Sequence, residues 1–358
     1  MYIHIFCTES TYSHALLQCL KNDIDLDQHL FIFGFAFIKF KKRIFEYEER
    51  IEKRVVRLKN PLEIVKYLKI LKQSRWIYLH LLSYDPTLLF WRLNRKLISK
   101  TTWIIWGTDI YSHYKKDQNV KTRIYESLRK SIIPQFPEIS AFVNQDLALI
   151  NEIYKTKATF IKTMYPYPVN FELLDAVAKD NEVRHVTNVM IGNSADSTNC
   201  HEEMIELLSV YKNDPVCIYC PLSYGGNSKY IQQIIEKGKS IFGQKFIPVT
   251  ETMKPDEYAR FLTTIDIALM NHRRQQALGN ITALLYLGKK VYLRSDVTTF
   301  HFMTEQNIQV YDIEKLMSQS FSEFILPVDD IRKNKKHIEK ISSDEYFLSL
   351  WLKLFERH

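Results

Sequence analysis

The sequence predicts an α/β protein built from two domains, each with a doubly wound parallel sheet. The chain has 358 residues, which is enough for two domains of ordinary size. Short apolar runs alternate with helical patterns from one end of the chain to the other, as expected for βαβ units. Most of these apolar runs are continuous, which is typical of parallel strands that are covered on both faces. These three observations favour two sheets with helices on both sides.

Six apolar runs in the first half are predicted to be strands, and helical segments separate them. One helical segment, NPLEIVKYLKILKQ, has Asn60 as its predicted cap and Pro61 at its first helical position. A second, DPTLLFWRLNRKL, has the same arrangement at Asp85 and Pro86. The predicted strands cover residues 2–6, 30–37, 76–82, 101–106, 141–144 and 159–164.

A proline-containing stretch, YPYPVN at residues 165–170, interrupts this alternation. Two prolines so close together favour an extended connection, and the polar stretch AKDNEVRH follows soon after. We therefore predict a first Rossmann-like domain over residues 1–168 and a second over residues 169–341. The last segment, 342–358, is predicted to be an amphipathic helix capped by Ser342 or Ser343. No strand follows this helix, and it could pack back on the first domain.

The second half repeats the pattern of strands and helices. Helices are predicted to begin near Asn199, Asn227, Pro255 and Gly279. The predicted strands cover residues 186–191, 216–220, 245–249, 265–270, 290–293 and 309–311. Two such domains are expected to face each other across a cleft.

The net charge of +8 is concentrated in the first half of the chain. Residues 1–170 hold 27 lysines and arginines against 16 acidic residues, whereas residues 171–358 hold 22 against 25. The basic half is also rich in aromatic residues, as in FIFGFAFIKFKKRIF at residues 31–45. Such a surface suits an anionic membrane face or single-stranded nucleic acid. An ordinary solvated basic face is the third alternative.

The cysteines and the N-terminus predict a protein that is made and kept in the cytosol. The five cysteines lack the spacing of a disulfide framework. Cys217 and Cys220 form one C-x-x-C, but it lies in a predicted strand, where buried cysteines are more common than zinc ligands. The N-terminus lacks a basic leader, and no apolar run is long enough to span a bilayer.

Ligands of open α/β sheets bind at the carboxyl ends of the strands, so the loops that follow strands are the candidate binding segments. The first such loop, IGNSADSTNCHEE at residues 191–203, is crowded with small polar residues. Its middle residues could cap the next helix, with Glu202 or Glu203 completing a capping box. Capping does not explain Asn193 and Ser194 at the end of the strand, and an anion site would explain them. The candidates in this loop are Asn193, Ser194, Asp196, Ser197, Asn199 and His201.

Two further loops of the second domain are candidates for the same site. MNHRRQQALGN, at residues 270–280, places arginines and glutamines after a buried strand, and arginine suits bidentate phosphate contact. CPLSYGGNSKY, at residues 220–230, holds Tyr224, which could stack on a base or a sugar. A solvated basic turn and an ordinary surface turn are the alternatives. The candidates are Tyr224, Arg273, Arg274, Gln275, Gln276, Gly279 and Asn280, and a nucleoside diphosphate is the leading ligand.

In the first domain, Asp109 and His80 follow predicted strands and are candidates for a general base. The alternatives are a helix cap for Asp109 and a buried core histidine for His80. Asp-x-Asp triplets occur only in NDIDLD, before a strand, and we interpret this stretch as a turn. We therefore expect no essential divalent metal and no other cofactor.

Several of these segments resemble the bacterial N-acetylfucosaminyltransferases of glycosyltransferase family 56. The segments are WGTDIY, IGNSADSTNCHEE, DIALMNHRRQQALGN and MTEQNIQV, with a weaker match at LHLLSYDPTLLFW. They occur in the order of the family over roughly residues 76–312. The first 70 residues and the C-terminal segment show little similarity.

The resemblance implies a GT-B fold and transfer of a sugar from TDP-4-acetamido-4,6-dideoxygalactose, or a similar donor, to a lipid-linked or lipopolysaccharide oligosaccharide. It implies that the second domain holds the donor and that the first meets a polyprenyl-diphosphate-linked acceptor at the cytosolic face of the inner membrane. Ala195 and Ala277 stand where the family commonly has glycine, Ser197 where it has proline, and Asn280 where it has a small hydroxyl residue. The donor positions that the resemblance carries over are Asn193, Ser194, Asp196, Asn199, His201, Arg274, Gln275, Gln276 and Gly279.

Two other functions stay open from the sequence. A nucleotide-sugar epimerase or hydrolase would use the same scaffold and the same polar loops. A nucleic-acid-binding module would use the basic, aromatic half, but it would leave the polar loops of the second domain unexplained, so we do not expect a nucleic-acid partner.

Overall fold

A computed structural model of the chain describes residues 1–34, 45–82, 84–106, 108–111, 119–166, 169–178, 185–326 and 331–358. The chain divides into two compact units. Unit 1 comprises Met1–Pro168 and Ser342–His358, and unit 2 comprises Val169–Ile341. Each unit is built around one parallel sheet.

The sheet of unit 1 has seven strands in the order β3-β2-β1-β4-β5-β6-β7, and all neighbours are parallel. The strand order reverses between β1 and β4, which is the arrangement of a doubly wound sheet. The strands are β1 Tyr2–Phe6, β2 His29–Phe33, β3 Val55–Arg57, β4 Trp76–His80, β5 Thr101–Ile104, β6 Glu138–Ala141 and β7 Thr159–Lys162.

Helices cover both faces of this sheet and bury two separate cores. On one face, Ile3 and Ile5 of β1 share a core with Ile64, Leu88 and residues of later helices. On the other face, Phe6 of β1 joins a core with residues of the first and last helices. The α-helices of unit 1 are α1 Thr11–Leu20, α2 Glu49–Glu52, α3 Leu68–Gln73, α4 Thr87–Leu93, α5 Arg95–Ile98, α6 Thr108–Tyr111, α7 Val120–Ile132, α8 Asn144–Tyr154 and α17 Asp344–Phe355, and Pro61–Tyr67 forms a 3-10 helix.

Helix α17 packs on unit 1 next to α1. Ser343 caps it by accepting a hydrogen bond from the backbone N–H of Tyr346. Trp351 is fully buried, and its indole N–H donates to the carbonyl of Met164 at 3.0 Å. The apolar side of this amphipathic helix therefore packs into a core of unit 1.

The sheet of unit 2 has six parallel strands in the order β10-β9-β8-β11-β12-β13. The order again reverses at one point, between β8 and β11, so this sheet is also doubly wound. The strands are β8 Thr187–Ile191, β9 Val216–Pro221, β10 Phe246–Val249, β11 Ile267–Met270, β12 Lys290–Leu293 and β13 Tyr311–Asp312. The α-helices are α9 Phe171–Ala178, α10 His201–Leu208, α11 Ser228–Phe242, α12 Pro255–Thr264, α13 Leu278–Tyr286, α14 Thr298–Glu305, α15 Phe321–Ile325 and α16 Ile331–Ile341. Two doubly wound parallel sheets confirm the predicted fold class.

Several local predictions differ from the structure. The strand predicted at residues 141–144 lies earlier, at Glu138–Ala141, and Asn144 begins α8. The polar residues of this strand are buried and paired, as Glu138 accepts a hydrogen bond from Thr102, so its pattern is not apolar. The edge strand β3 was not predicted because it has only three residues, all partly exposed.

The two capped helical segments of the first half are also less regular than predicted. The segment that follows Asn60 begins as a 3-10 helix and becomes α-helical only at Leu68. The segment that follows Asp85 breaks into α4 and α5 at Asn94. Part of the strand predicted at 30–37, most of the basic aromatic stretch, and residues 167–168 lie outside the described residues. Among the helices that the structure describes, none has the length and apolar character needed to cross a membrane.

Candidate functional site

Three loops of unit 2 meet at the carboxyl edge of its sheet, because they follow three neighbouring strands. The loop after β8 contacts the loop after β9 where the Ala195 N–H donates to the carbonyl of Tyr224 at 2.7 Å. It contacts the loop after β11 where the hydroxyl of Thr198 donates to Gln276 Oε1 at 2.8 Å. The structure thus brings together residues that lie up to about 80 positions apart in the sequence.

Asn199 lies at the centre of these loops and is fully buried. Its Oδ1 accepts a hydrogen bond from the backbone N–H of Asn193 at 2.9 Å. Its Nδ2 donates to the hydroxyl of Ser194 at 3.2 Å and to the carbonyl of Asp196 at 2.9 Å. One amide side chain therefore holds the whole turn that follows β8.

His272, in the loop after β11, completes this arrangement and was not a sequence candidate. Its Nε2 lies 2.9 Å from Asn199 Oδ1 and 3.1 Å from Asn193 Oδ1. Asn199 Oδ1 already accepts from a backbone N–H, so it is an oxygen and His272 Nε2 must carry the proton. Burial, followed by the charge of Arg274, lowers the pKa of His272 to about 3, so the ring stays neutral. The only sequence signal was its place directly after a buried strand.

We name the hydrogen bonds among Asn193, Ser194, Asn199, Tyr224 and His272 the polar network; all of these residues except Tyr224, which is 57% exposed, are buried. Tyr224 joins it because its hydroxyl accepts a hydrogen bond from Asn193 Nδ2 at 2.9 Å. The polar network links all three loops, and it leaves their backbone in one defined arrangement.

Two glycines allow the backbone to come this close. A Cβ on Gly226 would lie only 2.3 Å from the carbonyl oxygen of Ala195, so a larger residue would push the loops after β8 and β9 apart. Gly192 has φ of +67°, and a Cβ there would lie 2.7 Å from both Asn199 Oδ1 and His201 Nε2. By contrast, a Cβ on Gly279 would approach only Val169, at 3.8 Å.

The alternative in which the middle residues of the loop after β8 cap α10 does not hold. The residue before α10 is Cys200, which has a left-handed backbone, and no side-chain cap bond is present among the described residues. Glu203 does not form the predicted capping box, because its carboxylate pairs with Arg273 and accepts a hydrogen bond from Asn271. Asp196 caps only the short turn Ser197–Asn199, through the N–H of Thr198.

Two α-helices of unit 2 therefore begin beside the polar network without a side-chain cap. These are α10, after Cys200, and α13, after Ala277. The first N–H groups of an α-helix have no partner within the helix, and the helix dipole adds positive potential at that end. Such ends bind phosphate and other anions.

The predicted arginines take different positions. Arg274 is 22% exposed in its side chain and lies 3.7 Å from the carboxylate of Asp196, within the loops. Arg273 is 62% exposed and pairs with Glu203. Of these two arginines, Arg274 is the less exposed, and its charge acts on His272 of the polar network.

The other predicted residues of unit 2 lie around the same loops. His201 is buried at the first position of α10, where its Nδ1 lies 3.0 Å from the hydroxyl of Tyr230 and burial lowers its pKa to about 4. Ser197 is exposed. Gln275, Gln276, Gly279 and Asn280 are half-buried in the loop after β11 and the first turn of α13.

The structure argues against His80 as a general base. The residue is fully buried at the end of β4, where its ring stacks on Phe6 at 3.8 Å between centroids. Its Nε2 lies 3.1 Å from His4 Nδ1, and its Nδ1 contacts the hydroxyl of Tyr165. Burial lowers its pKa well below the ordinary value. This is the core histidine that the sequence left as the alternative.

Asp109 is also in the wrong environment for a general base. Its carboxylate is buried and accepts hydrogen bonds from the Trp103 indole at 3.0 Å and from the backbone N–H groups of Trp106 and Leu82. Burial raises its pKa, while the positive charge of Arg129 acts in the opposite direction. Asp109 therefore joins the segments that follow β4 and β5, and its oxygens do not reach the surface.

The residue before α13 provides a direct test of loop strain. Ala277 has φ of +58°, a left-handed conformation that is unfavourable for residues with a Cβ by about 1–2 kcal/mol. We expect Ala277→Gly to stabilise the protein by about 0.5–1 kcal/mol, since glycine also loses more chain entropy on folding. Urea denaturation measures this gain in the free energy of unfolding.

The matched control is the same substitution inside the helix that follows. Ala283 is a buried residue of α13 with ordinary helical neighbours, and Ala283→Gly is expected to destabilise the protein by about 1 kcal/mol. Destabilisation by both substitutions would contradict the assigned backbone strain at Ala277.

Across the part of the chain that the structure describes, no three His, Cys, Asp or Glu side chains are grouped so that they could hold a metal ion. The charged and polar groups at the edge of the unit 2 sheet are arginines, amides, hydroxyls and a neutral histidine, and the two carboxylates there, Asp196 and Glu203, are each paired with an arginine. These groups can bind a phosphorylated ligand directly.

Comparison with solved structures identifies the fold. Sucrose-phosphate synthase from Thermosynechococcus elongatus is similar with a TM-score of 0.67 and 11% identity, over 100% of this chain and 98% of that chain. A glycosyltransferase from Rickettsia africae ESF-5 is similar with a TM-score of 0.64 and 13% identity, over 99% and 97%. A UDP-forming trehalose-phosphate synthase from Burkholderia xenovorans has a TM-score of 0.62 and 12% identity, over 99% and 98%. At these identities the similarity shows the fold alone, which is GT-B.

The sequence also matches a family model over most of its length. The matched residues are 63–334, and the family is described as 4-alpha-L-fucosyltransferase, glycosyl transferase group 56. The match includes all three loops around the polar network, and family and fold together make the chain a glycosyltransferase, which takes a nucleotide-sugar donor and a glycan acceptor. The chain belongs to the 4-alpha-L-fucosyltransferase family, glycosyl transferase group 56.

Proposed function

We propose that this glycosyltransferase moves an acetamido-dideoxyhexose from a TDP-sugar, TDP-4-acetamido-4,6-dideoxygalactose or a close relative, to a lipid-linked or lipopolysaccharide oligosaccharide. The reaction would serve the synthesis of bacterial surface glycans. The enzyme would associate peripherally with the cytosolic face of the inner membrane through unit 1. Membership of the fucosyltransferase family and the resemblance to TDP-sugar enzymes support this choice of donor class.

One observation carries the proposal: the uncapped N-termini of α10 and α13 lie on loops that the polar network holds in place. A nucleoside diphosphate bound there would meet backbone N–H groups and the guanidinium of Arg274. The sugar nucleotide would then contact neutral side chains of all three loops. These are Asn193, Ser194 and Tyr224 in the loops after β8 and β9, and Gln275 and Asn280 in the loop after β11 and the first turn of α13. Their amide and hydroxyl groups can donate and accept hydrogen bonds to a sugar and a base.

The chemical step needs a group that accepts the charge of the departing diphosphate. In the reaction, the bond between the anomeric carbon and the diphosphate oxygen breaks, and a bond to the acceptor hydroxyl oxygen forms. The hydroxyl proton is lost, and the nucleoside diphosphate leaves with additional negative charge. Arg274 and the two helix N-termini would stabilise that charge as it develops. We propose that these groups act without a divalent metal.

Nucleoside diphosphates should stabilise the folded protein, and TDP should do so more than UDP, GDP or CDP. At about 100 times its dissociation constant, a ligand stabilises the folded state by about 2.7 kcal/mol, which is a rise of about 5–10 °C in the melting temperature of a unit of this size. A thermal-shift series with the four diphosphates at equal concentration measures this. Equal shifts for all four, or none for any, would exclude the proposed donor class.

The rate at which the sugar donor is consumed, with and without an acceptor, distinguishes a transferase from a hydrolase on the same scaffold. A transferase releases TDP at an appreciable rate only when an acceptor is present. Release of TDP and free sugar at the same rate without any acceptor would assign a hydrolase instead.

A further inference from the structure

One face of unit 1 is covered by three helical elements that pack side by side. The 3-10 helix Pro61–Tyr67 and helix α7 both pack against α4. Their inner side chains, among them Ile64, Leu88 and Ile132, belong to a single core beneath them. The opposite sides of these elements therefore form one continuous outer surface.

This outer surface carries six exposed aliphatic side chains, two on each element. The two residues of a pair are three positions apart on the 3-10 helix and four positions apart on each α-helix. These spacings match about one turn of each helix type, so both residues of a pair lie on the same side of their helix. All six are between 53% and 74% exposed. Single exposed apolar residues are ordinary, whereas pairs on three adjoining elements form a patch that marks an interaction site. We name it the aliphatic face: Leu62, Val65, Leu89, Leu93, Val120 and Ile124.

The segments that form the aliphatic face are strongly basic. Residues 59–73, 85–100 and 119–132 hold twelve lysines and arginines against three acidic residues, an excess of +9, whereas the whole chain carries +8. Among the twelve, only Arg129 is buried. Of the acidic residues, Glu126 is buried and Glu63 is paired with Lys66 at 2.6 Å. Basic side chains on α4 and α5, such as Arg92 and Lys96, line a recess next to Leu93.

We propose that the aliphatic face and its basic rim dock on an anionic lipid bilayer. Aliphatic side chains enter the boundary between headgroups and acyl chains, and lysine and arginine are attracted to anionic headgroups. The composition disfavours single-stranded nucleic acid, which is bound by exposed aromatic rings that stack on bases. On α4 the aromatic residues Phe90 and Trp91 point inward and are buried. The inference rests on the proposed function, in which unit 1 meets the membrane, and it adds which surface of unit 1 docks.

Vesicle co-sedimentation of the full chain tests the inference without donor or acceptor. Wild-type protein should sediment with phosphatidylcholine vesicles that contain phosphatidylglycerol, and much less with phosphatidylcholine alone. Added salt should weaken binding, because the rim charges are solvent-exposed and screened. Exchange of both α4 leucines, Leu89→Ser with Leu93→Ser, should lower the affinity at least about tenfold, since two leucines leave the bilayer.

A matched control uses exposed apolar residues of unit 2. Val210 and Met317 are 67% and 79% exposed, and Val210→Ser with Met317→Ser should sediment like wild type. A cooperative melting transition without ligand shows that each variant is folded, and the TDP-induced rise in melting temperature tests the donor site separately. Vesicle binding without a TDP shift would count against the proposed function alone.

Three results would overturn the inference. The first is equal sedimentation of the wild-type protein with both vesicle types. The second is equal vesicle affinity of the α4 double variant and the wild-type protein. The third is that an oligonucleotide competes with vesicles for the wild-type protein and no longer binds the α4 double variant. The last result would assign the surface to nucleic acid.

Discussion

Arg274→Ala is expected to slow sugar transfer by about 10²–10³-fold, while the protein stays folded. Removing one preorganised donor from a developing negative charge has effects of this size. Arg274 is held between the loops after β8 and β11 by Asp196, at 3.7 Å. Its side chain is mostly shielded from solvent, so its charge is weakly screened. The measurement is the rate of TDP release in the presence of acceptor, at saturating donor.

Two variants show whether charge or geometry matters. Arg274→Lys keeps the positive charge but loses the bidentate geometry, so its rate should lie between those of wild type and Arg274→Ala. Arg273→Ala removes an exposed guanidinium that is paired with Glu203, and because its charge is screened by solvent, the rate should stay close to that of wild type. Equal losses for Arg273→Ala and Arg274→Ala would contradict the different roles that their positions assign.

Asn199→Ala is expected to destabilise the protein by about 3 kcal/mol or more. The substitution removes the acceptor of the buried Asn193 N–H and one of the two acceptors that His272 Nε2 contacts. It also removes the amide that donates to the Ser194 hydroxyl and to the Asp196 carbonyl. A buried donor without a partner costs about 1–3 kcal/mol. The free energy of unfolding in urea measures the loss, and the TDP shift should disappear because the turn after β8 loses its support.

The matched control is the asparagine that caps α11. Asn227 accepts from the N–H of Tyr230 at 2.9 Å and is exposed, so Asn227→Ala should cost about 1 kcal/mol and leave the TDP shift unchanged. If Asn199→Ala cost no more than Asn227→Ala, the polar network would not be the element that holds the loops together.

The fold was predictable because its determinants are local. Buried parallel strands such as β9 and β11 are continuous apolar runs, and they lie nearly where the sequence predicts them. Prediction failed for β6, where Glu138 and Ser140 are buried with partners from elsewhere in unit 1, including Thr102 and the C-terminal Arg357. Polar residues are typical of turns, so a buried polar residue in a strand is not recognised from the sequence when its hydrogen-bond partner lies far away in the chain.

The site was predictable at the level of loops and not at the level of side-chain roles. The rule that ligands bind at carboxyl ends of parallel strands selected the three loops that meet around Asn199. It did not select His272, whose partner Asn199 lies 73 residues earlier in the chain. It also favoured His80, which ends β4, and Asp109, which lies in α6 after β5, and both residues are buried.

The sequence by itself determined the two α/β units, most of their strands and helices, and the loops that carry polar chemistry. These depend on hydrophobic periodicity and on residues within a few positions of one another. Only the tertiary structure decided which polar side chains are paired, buried or exposed: that Asn199 supports a turn instead of capping α10, and that Arg274 is shielded while Arg273 is not. The free energy of a polar group depends on its partners and its access to water, and both are set by residues far away in the chain.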